Sequence, residues 1–174
     1  LEMLLARNED LRHRLPSLRY CVASGEAISP ELCRRFLEAL PGTVLLNLYG
    51  SSEVSADSTY YEVTAADARS QRSIPIGKPI ANTQLYILDR NDLPVPIGVP
   101  GELHIGGAGV SLGYLNRPDL NQSRIIKDPF REDSMLFKTG DLGRYRPDGN
   151  IQILGRADDQ VKIRGMRVEL GEIE

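Results

Sequence analysis

Leu1, Leu4, Leu5 and Leu11 recur at roughly helical spacing among charged residues, a pattern that predicts a surface helix stopped by Pro16. Residues 18–24, LRYCVAS, read as a short buried strand. Ser29-Pro30-Glu31-Leu32 then supplies an N-cap serine, a proline at the first helical position and a carboxylate in the first turn. A helix is therefore expected up to Leu40, with Pro41-Gly42 ending it. Residues 43–49, TVLLNLY, are nearly all apolar, as expected for a central strand covered on both faces. Strand, helix and strand in this order predict a βαβ unit with a right-handed crossover.

The pattern changes after residue 70. Helical periodicity gives way to short β-rich runs punctuated by glycine and proline, the texture of a second, β-rich module. Strands are expected at residues 83–88, 101–106, 136–138, 143–145 and 150–154, with turns at Asp92-Leu93-Pro94 and Pro147-Asp148-Gly149-Asn150. A short helix is expected near Asp119. Beyond Gly155, strands at 160–163 and 167–170 flank Arg164-Gly165-Met166. The chain begins at Leu1 without an initiator methionine, and so ordered a stretch as residues 155–174 rarely ends a protein. It is expected to be a piece of a longer chain.

Composition narrows the function classes. At 174 residues, 41% hydrophobic and 26% charged, the chain can bury one ordinary core, or one core and a small satellite. The formal net charge of -3 has no block of one sign behind it, which argues against nucleic acid and a membrane surface as partners. Cys21 and Cys33 lack the close spacing of a zinc or redox pair, which fits buried thiols in a reduced, cytoplasmic setting. No apolar stretch reaches the ~20 residues of a membrane helix, and residues 1–14 are too charged for a signal peptide.

Three segments carry candidate chemistry. Asn47-Leu48-Tyr49-Gly50-Ser51-Ser52-Glu53 starts as a buried strand and ends as a small polar loop at its carboxyl end, where open α/β sheets place their ligands. Gly50 permits a sharp turn and close approach, the serines offer hydroxyls, Glu53 offers a hard oxygen to a divalent cation, and Tyr49 can stack on a planar ring. Ala23-Ser24-Gly25-Glu26-Ala27 also follows a strand, and if the two strands are neighbours both loops open on one edge. In Phe137-Lys138-Thr139-Gly140-Asp141-Leu142, an ionised aspartate at a strand end can accept from both hydroxyls of a ribose, and Arg156 can clamp a phosphate. Taken one at a time, each segment reads equally as structure: a strand-to-loop turn, a capping carboxylate, a surface ion pair.

Taken together they resemble a known family. NLYGSSE, GELHIGGAGVSLGYLNRPDL, FKTGDLGRYRPDG and GRADDQVKIRGMRVELGEIE occur in the order and at about the distances seen in adenylate-forming enzymes of the acyl-CoA synthetase, luciferase and peptide-synthetase superfamily. The chain is most similar to the amino-acid-activating adenylation domains of nonribosomal peptide synthetases. The resemblance implies an α/β fold followed by a β-rich one. Residues 1–75 would be the end of a βαβ-type layered subdomain, 76–157 a distorted β-barrel-like subdomain, and 158–174 the hinge and first strands of a small α+β C-terminal domain. It also implies ATP and Mg2+ as cofactors, a carboxylic or amino acid as substrate, and the phosphopantetheine of a peptidyl carrier protein domain as acyl acceptor. Acyl-CoA or fatty-acyl-AMP ligase, and a non-catalytic nucleotide-binding or interaction module, stay open as alternatives.

Roles follow by resemblance, position by position. Tyr49 matches the residue that stacks on adenine, Ser52 the hydroxyl at the AMP phosphate and Glu53 the magnesium carboxylate. Asn47 and Gly50 belong to the same nucleotide-binding segment, and Ser51-Ser52 stand where many relatives have proline and threonine. Gly25, Glu26 and Ala27 match the loop beside adenine and substrate, Asp141 the ribose-binding aspartate, and Arg156 the arginine near ribose and phosphate. Val22, Ser24, Leu48, Ala56 and Asp57 match substrate-pocket positions. Asp158 matches the hinge aspartate, and Gly165 the loop facing the acyl-transfer tunnel. Gly106, Gly107, Gly109, Gly113, Tyr114, Asn116 and Arg117 read as scaffold. The family's upstream phosphate loop, its substrate helix with an aspartate and its downstream catalytic lysine have no counterpart in these residues. The isolated 174-residue chain is therefore expected to be inactive, since losing such a cation typically costs about two to three orders of magnitude in rate. Substrate-dependent ATP/pyrophosphate exchange by the purified chain measures this, and robust exchange would overturn the expectation.

Overall fold

Short polar side chains decide where the helices of the first layer begin. A computed structural model of the chain describes residues 1–6, 10–158, 161–163 and 166–168. The helix expected over residues 1–14 is two short ones, α1 (Glu2–Ala6) and α2 (Leu11–Arg14), because Asp10 accepts from the Arg12 amide and caps a new start. After β1 (Tyr20–Ala23), Ser29 accepts from the Leu32 amide at 3.1 Å and Pro30 takes the first helical position, starting α3 (Pro30–Ala39) as expected. Strand β2 (Val44–Ser51) pairs with β1 in parallel, from Tyr20 opposite Val44 to Ala23 opposite Asn47. A 3-10 turn (Ser52–Val54) then folds the chain back into β3 (Ala56–Glu62), antiparallel to β2.

Helix α4 (Ala65–Arg69) starts with a reciprocal cap. The Thr64 hydroxyl accepts from the Asp67 amide at 3.2 Å while the Asp67 carboxylate accepts from the Thr64 amide at 3.0 Å. The same carboxylate accepts from the Tyr61 hydroxyl at 2.8 Å. α3 and α4 cover one face of the sheet, burying Cys33, Phe36, Leu40, Leu45, Val63 and Ala68 in one cluster. The expectation that β2 is covered on both faces is not met. Leu46 and Leu48 are only half buried, and their neighbours Tyr20, Val22 and Tyr60 are 63%, 55% and 49% exposed. Both helices lie on the Leu45 side, and the run is apolar on its second face without a layer over it among the described residues.

The second sheet starts after the short β4 (Lys78–Pro79), which pairs with β3. It contains β5 (Thr83–Leu88), β6 (Gly101–Gly107), β7 (Ile125–Lys127), β8 (Met135–Tyr145) and β9 (Ile151–Arg156), with α5 (Pro118–Arg124) leading into β7. The order is β5-β6-β8-β7, with β9 also on β8. β6 takes one edge of β8, and β7 and β9 share the other at opposite ends. Among the described residues the sheet is open, so the barrel-like closure expected from the resemblance is corrected: β6 is the one strand that β5 pairs with, and the other edge of β5 carries only a bridge from Leu88 to Pro94. Val54, Ile76, Leu85, Ile87, Leu103, Ile105, Phe137 and Ile151 form its core. A backbone seam joins the two sheets, with the Ile76 amide donating to the Ile151 carbonyl at 2.9 Å and the Ile151 amide to the Gly77 carbonyl at 2.8 Å. Strands β10 (Val161–Ile163) and β11 (Met166–Val168) pair antiparallel, and Gly165 lies outside the described residues. Among the described residues no helix is long and apolar enough to cross a membrane.

Phe36 is fully buried at the centre of the first cluster. Phe36→Ala is expected to cost roughly 3–5 kcal/mol, read as a lower urea midpoint, and a loss below about 1 kcal/mol would show that the cluster is not a packed core. Stability is also expected to fall at high pH. Burial, reinforced by Asp67, pushes the Cys33 thiol up to about 11. Burial together with the bond to Asp67 pushes the Tyr61 phenol up to about 12. Unfolded, these groups release their protons near about 8.5 and about 10. The native state keeps them longer, so their stabilisation is complete below the unfolded values and is lost as pH rises through 11 and 12. Melting temperatures from pH 7 upward should show this decline, and Tyr61→Phe should make it shallower; an unchanged slope would rule Tyr61 out as a source.

Candidate adenylate site

Because β1 and β2 are parallel neighbours, the loops at their carboxyl ends open on the same edge, as the sequence suggests. Ser24 bridges to the returning strand, its hydroxyl donating to Asp57 Oδ1 at 2.8 Å. β2 runs past Tyr49 to Ser51 before turning. The register slips between Tyr49 and Gly50, since Tyr49 faces Thr59 and Gly50 faces Asp57, leaving Ser58 as the bulged residue. Gly50 is required by the hairpin itself: a Cβ there would lie 1.7 Å from the Ala56 carbonyl oxygen. The turn that follows carries Glu53, 7% exposed. It closes through two non-glycine residues at positive φ, Ser55 at 61° and Ala56 at 76°, backbone conformations that cost energy and persist where the surroundings enforce them.

The opposing wall comes from β8. The expected pair of strands at 136–138 and 143–145 is one strand of 11 residues. Glu102 faces Leu142 and His104 faces Lys138, so Thr139, Gly140 and Asp141 of β8 stand opposite Leu103 alone. Side chains satisfy the backbone freed by this bulge. The Thr139 hydroxyl donates to the Leu103 carbonyl at 2.8 Å and accepts from the Asp141 amide at 3.0 Å, and Glu102 Oε1 accepts from the Gly140 amide at 3.1 Å. Asp141 reaches the first sheet, where it accepts from the Tyr49 hydroxyl. Arg156 Nη1 donates to its other oxygen at 2.9 Å.

Arg156 continues the line, donating through Nε and Nη2 to both carboxylate oxygens of Asp158 at 2.6 and 2.8 Å. Arg124 of α5 donates to Asp158 Oδ2 at 2.9 Å. Gly140, at φ +76°, makes this cluster possible: a Cβ would lie 2.6 Å from Asp158 Oδ2, 2.7 Å from Arg156 Nη2 and 2.9 Å from Arg124 Nη1. Burial works against the Arg156 charge, but the Asp158 bond and the Asp141 carboxylate outweigh it and hold its pKa above the usual arginine value. Burial, then the charge and hydrogen bond of Asp141, push the Tyr49 phenol well above its ordinary value. Tyr49 therefore stays protonated and acts as a donor.

The two walls enclose a cavity of about 360 Å³, within the size range of small-molecule sites. Of the expected site residues, Gly25, Tyr49, Gly50, Ser52, Glu53, Asp141 and Arg156 line it, as do Ser24, Ala56 and Asp57. The other expected residues stand elsewhere. Asn47 points away from the cavity, its side-chain amide donating to the Pro75 carbonyl at 2.8 Å. Glu26 and Ala27 are exposed beside Gly25, Val22 is exposed on the uncovered face of β1, and Leu48 is half buried on β2. Asp158 reaches the site through Arg156 and Arg124. Ser51, whose hydroxyl the sequence offers beside that of Ser52, also lines the cavity, as do Phe137 and Thr139, for which no role was expected. Phe137 and Thr139 alternate with Asp141 along β8, a signal visible only when the strand is read as continuous. The Ser51 hydroxyl is buried without a partner among the described residues. The described residues hold no group of three metal-ligating side chains. Glu53, one of two buried carboxylates at the cavity, fits the way Mg2+ is commonly held, by one or two carboxylates plus substrate phosphates.

Comparison with known proteins gives this geometry its context. A family model described as AMP-binding enzyme matches residues 1–115. Tyrocidine synthase 3 of Brevibacillus parabrevis is 49% identical over 158 residues, 91% of this chain and 2% of that protein. Malpinin synthetase of Mortierella alpina is 44% identical over 162 residues, 92% of this chain and 2% of that protein. The chain thus spans only a few per cent of the length of these relatives. NpsA-ThdA, an artificially fused adenylation-PCP di-domain NRPS from Klebsiella oxytoca, superimposes with a TM-score of 0.86 at 32% identity, covering 99% of this chain and 31% of that one. Matched by that model over most of its length and in fold by an adenylation-PCP protein, the chain belongs to the AMP-binding enzyme family.

Proposed function

We propose that this chain forms the nucleotide side of an adenylation domain in a nonribosomal peptide synthetase. That domain activates an amino acid with ATP and passes it to the phosphopantetheine thiol of a carrier protein in the reduced cytoplasm. One observation carries the proposal: Tyr49, Glu53, Asp141 and Arg156, drawn from two sheets, line a single cavity. The synthetases that the chain resembles and the adenylation-PCP architecture of its structural neighbour support it. Residues 1–75 and 76–157 then act as the two parts of the large region, and 158–174 as the hinge and start of the small domain.

The substrate carboxylate attacks the α-phosphate, releasing pyrophosphate and forming an acyl-adenylate, whose acyl carbon the thiol then attacks to form a thioester and release AMP. The first step needs alignment and charge stabilisation more than a protein nucleophile. The Tyr49 ring forms the adenine wall. Asp141 already accepts from Tyr49 and Arg156, and an ionised carboxylate has about four acceptor positions, which leaves room for both ribose hydroxyls. Ser52 offers its hydroxyl to the α-phosphate, and Ser24, Ala56 and Asp57 border the acid. The cavity presents Glu53, Asp57 and Asp141, so a polyphosphate entering it meets like charge. Mg2+, held by Glu53 and the phosphates, would offset that charge. Asp158 is the pivot for domain rotation between the two steps, and in this conformation Arg156 and Arg124 hold it.

Hydrogen bonds to a charged group contribute roughly 1.5–3 kcal/mol each, so Asp141→Ala in the intact synthetase is expected to raise KM for ATP about ten- to a hundred-fold. KM for the amino acid should stay near the wild-type value. Initial rates of ATP/pyrophosphate exchange measure both, and an unchanged KM for ATP would remove Asp141 from the nucleotide site.

A further inference from the structure

Residues 108–117, between β6 and α5, dock onto the turn that carries Glu53. The Ser111 amide donates to the Glu53 carbonyl at 2.8 Å, and the Ser55 hydroxyl donates to the Gly109 carbonyl at 2.9 Å. The backbones approach so closely that a Cβ on Gly109 would lie 2.8 Å from the Val54 carbonyl oxygen. At the far end of this loop the Tyr114 hydroxyl donates to Glu53 Oε1 at 2.7 Å. One loop thus holds both the backbone and the carboxylate of Glu53.

Tyr114 is itself fixed from two directions. Its ring packs against the core cluster that contains Val54, the residue next to Glu53. Its amide donates to Asn121 Oδ1 at 2.6 Å, and its carbonyl accepts from Asn121 Nδ2 at 3.0 Å, so a side chain of α5 clamps it as a neighbouring strand would. Gly113, at φ +127°, leaves room for that clamp, because a Cβ there would lie 2.7 Å from Asn121 Oδ1. With ring and backbone both held, the phenolic oxygen has one place to be.

The chemistry of the donor matters. Glu53 is 7% exposed, and a buried carboxylate needs hydrogen-bond donors. A phenol donates such a bond without bringing a charge of its own, so the contact from Tyr114 orients the carboxylate without itself neutralising it. Mg2+ demands near-ideal octahedral geometry with bonds of about 2.0–2.1 Å, so a carboxylate held in one plane binds it better than one free to turn.

We propose that Tyr114, clamped by Asn121, is a positioning residue for Glu53: it sets the orientation in which that carboxylate meets the divalent cation of the bound nucleotide. The inference rests on the proposed assignment of Glu53 to that cation. Loss of an outer-shell partner typically costs about 10–100-fold in metal affinity, so Tyr114→Phe should raise the half-saturating Mg2+ about ten-fold or more.

The test uses the intact synthetase, with Mg2+ titrated against protein saturated with a non-hydrolysable ATP analogue and followed by thermal melting. The Mg2+ dependence of ATP/pyrophosphate exchange is measured alongside. Tyr114→Phe and Asn121→Ala should both shift the Mg2+ curve, with KM for the amino acid unchanged. Adding Tyr114→Phe to a Glu53→Gln background should change the curve less than about two-fold, because the group it orients is already gone. If Glu53→Gln shifts the curve and Tyr114→Phe does not, the positioning role is overturned and Glu53 keeps its assignment. A lowered melting temperature without a Mg2+ shift in Tyr114→Phe overturns it in the same way and leaves Tyr114 as scaffold. If Glu53→Gln leaves the curve where it was, the assignment of Glu53 fails and the inference fails with it.

Discussion

A carboxylate that is 9% exposed, shared between a phenol from one sheet and a guanidinium from the other, holds the two halves of the molecule in working register. Asp141 cannot be buried as a bare charge, since an unpaired ion in such a place costs several kcal/mol. It therefore fixes where Tyr49 and Arg156 must stand, and those two residues lie 92 and 15 positions away along the chain. The backbone seam between Ile76, Gly77 and Ile151 joins the sheets. Asp141 and Arg156 line the cavity. Arg156 passes the constraint on to Asp158, and Arg124 anchors it to α5, so the residue proposed as pivot is tied to the proposed ribose ligand by two consecutive ion pairs.

Two irregular strands make the site possible. Regular pairing would send alternate side chains to opposite faces without exception. The bulge at Ser58 and the wider one over Thr139–Asp141 interrupt regular pairing beside the place where Tyr49 and Asp141 meet. The cost appears in the turn between β2 and β3, where Ser55 and Ala56 both sit at positive φ, and in the crowding around Gly50 and Gly140, where no side chain fits. Gly50 lines the cavity and Gly140 lies between two residues that do, but each is required by neighbouring protein atoms and not by space for a ligand.

The loop before α5 extends the same logic to Glu53. Gly109 lets it lie against the 3-10 turn, Gly113 makes room for Asn121, and its one phenol reaches the carboxylate. Scaffold and site are continuous here: the ring that packs into the core ends in the hydroxyl that orients the proposed metal ligand. Ser24, Ala56 and Asp57, proposed to border the acid, are set by contacts within the protein itself. Ser24 and Asp57 hold each other, and Ala56 sits on a strained turn.

The sequence alone determined the parallel βαβ unit, because Ser29, Pro30 and the apolar run after Gly42 are local signals that tertiary contacts had no reason to override. It also determined the family, since four strings in order carry that information without geometry, and most of the cavity residues followed from the strings position by position. What local pattern did not reach was decided by pairing between distant segments. β3 was not foreseen, since ADSTYYE has no clean alternation and becomes a strand only beside β2. Residues 139–142 read as a break between two strands because Thr-Gly-Asp is turn chemistry, yet Leu103, Glu102 and Thr139 satisfy the backbone there and keep it in one strand. Asn47 belonged to the right string but lies on the covered face of β2, where a buried amide must find a carbonyl. Tyr114 read as scaffold, and only the fold, by bringing together residues 61 positions apart, put its hydroxyl on Glu53.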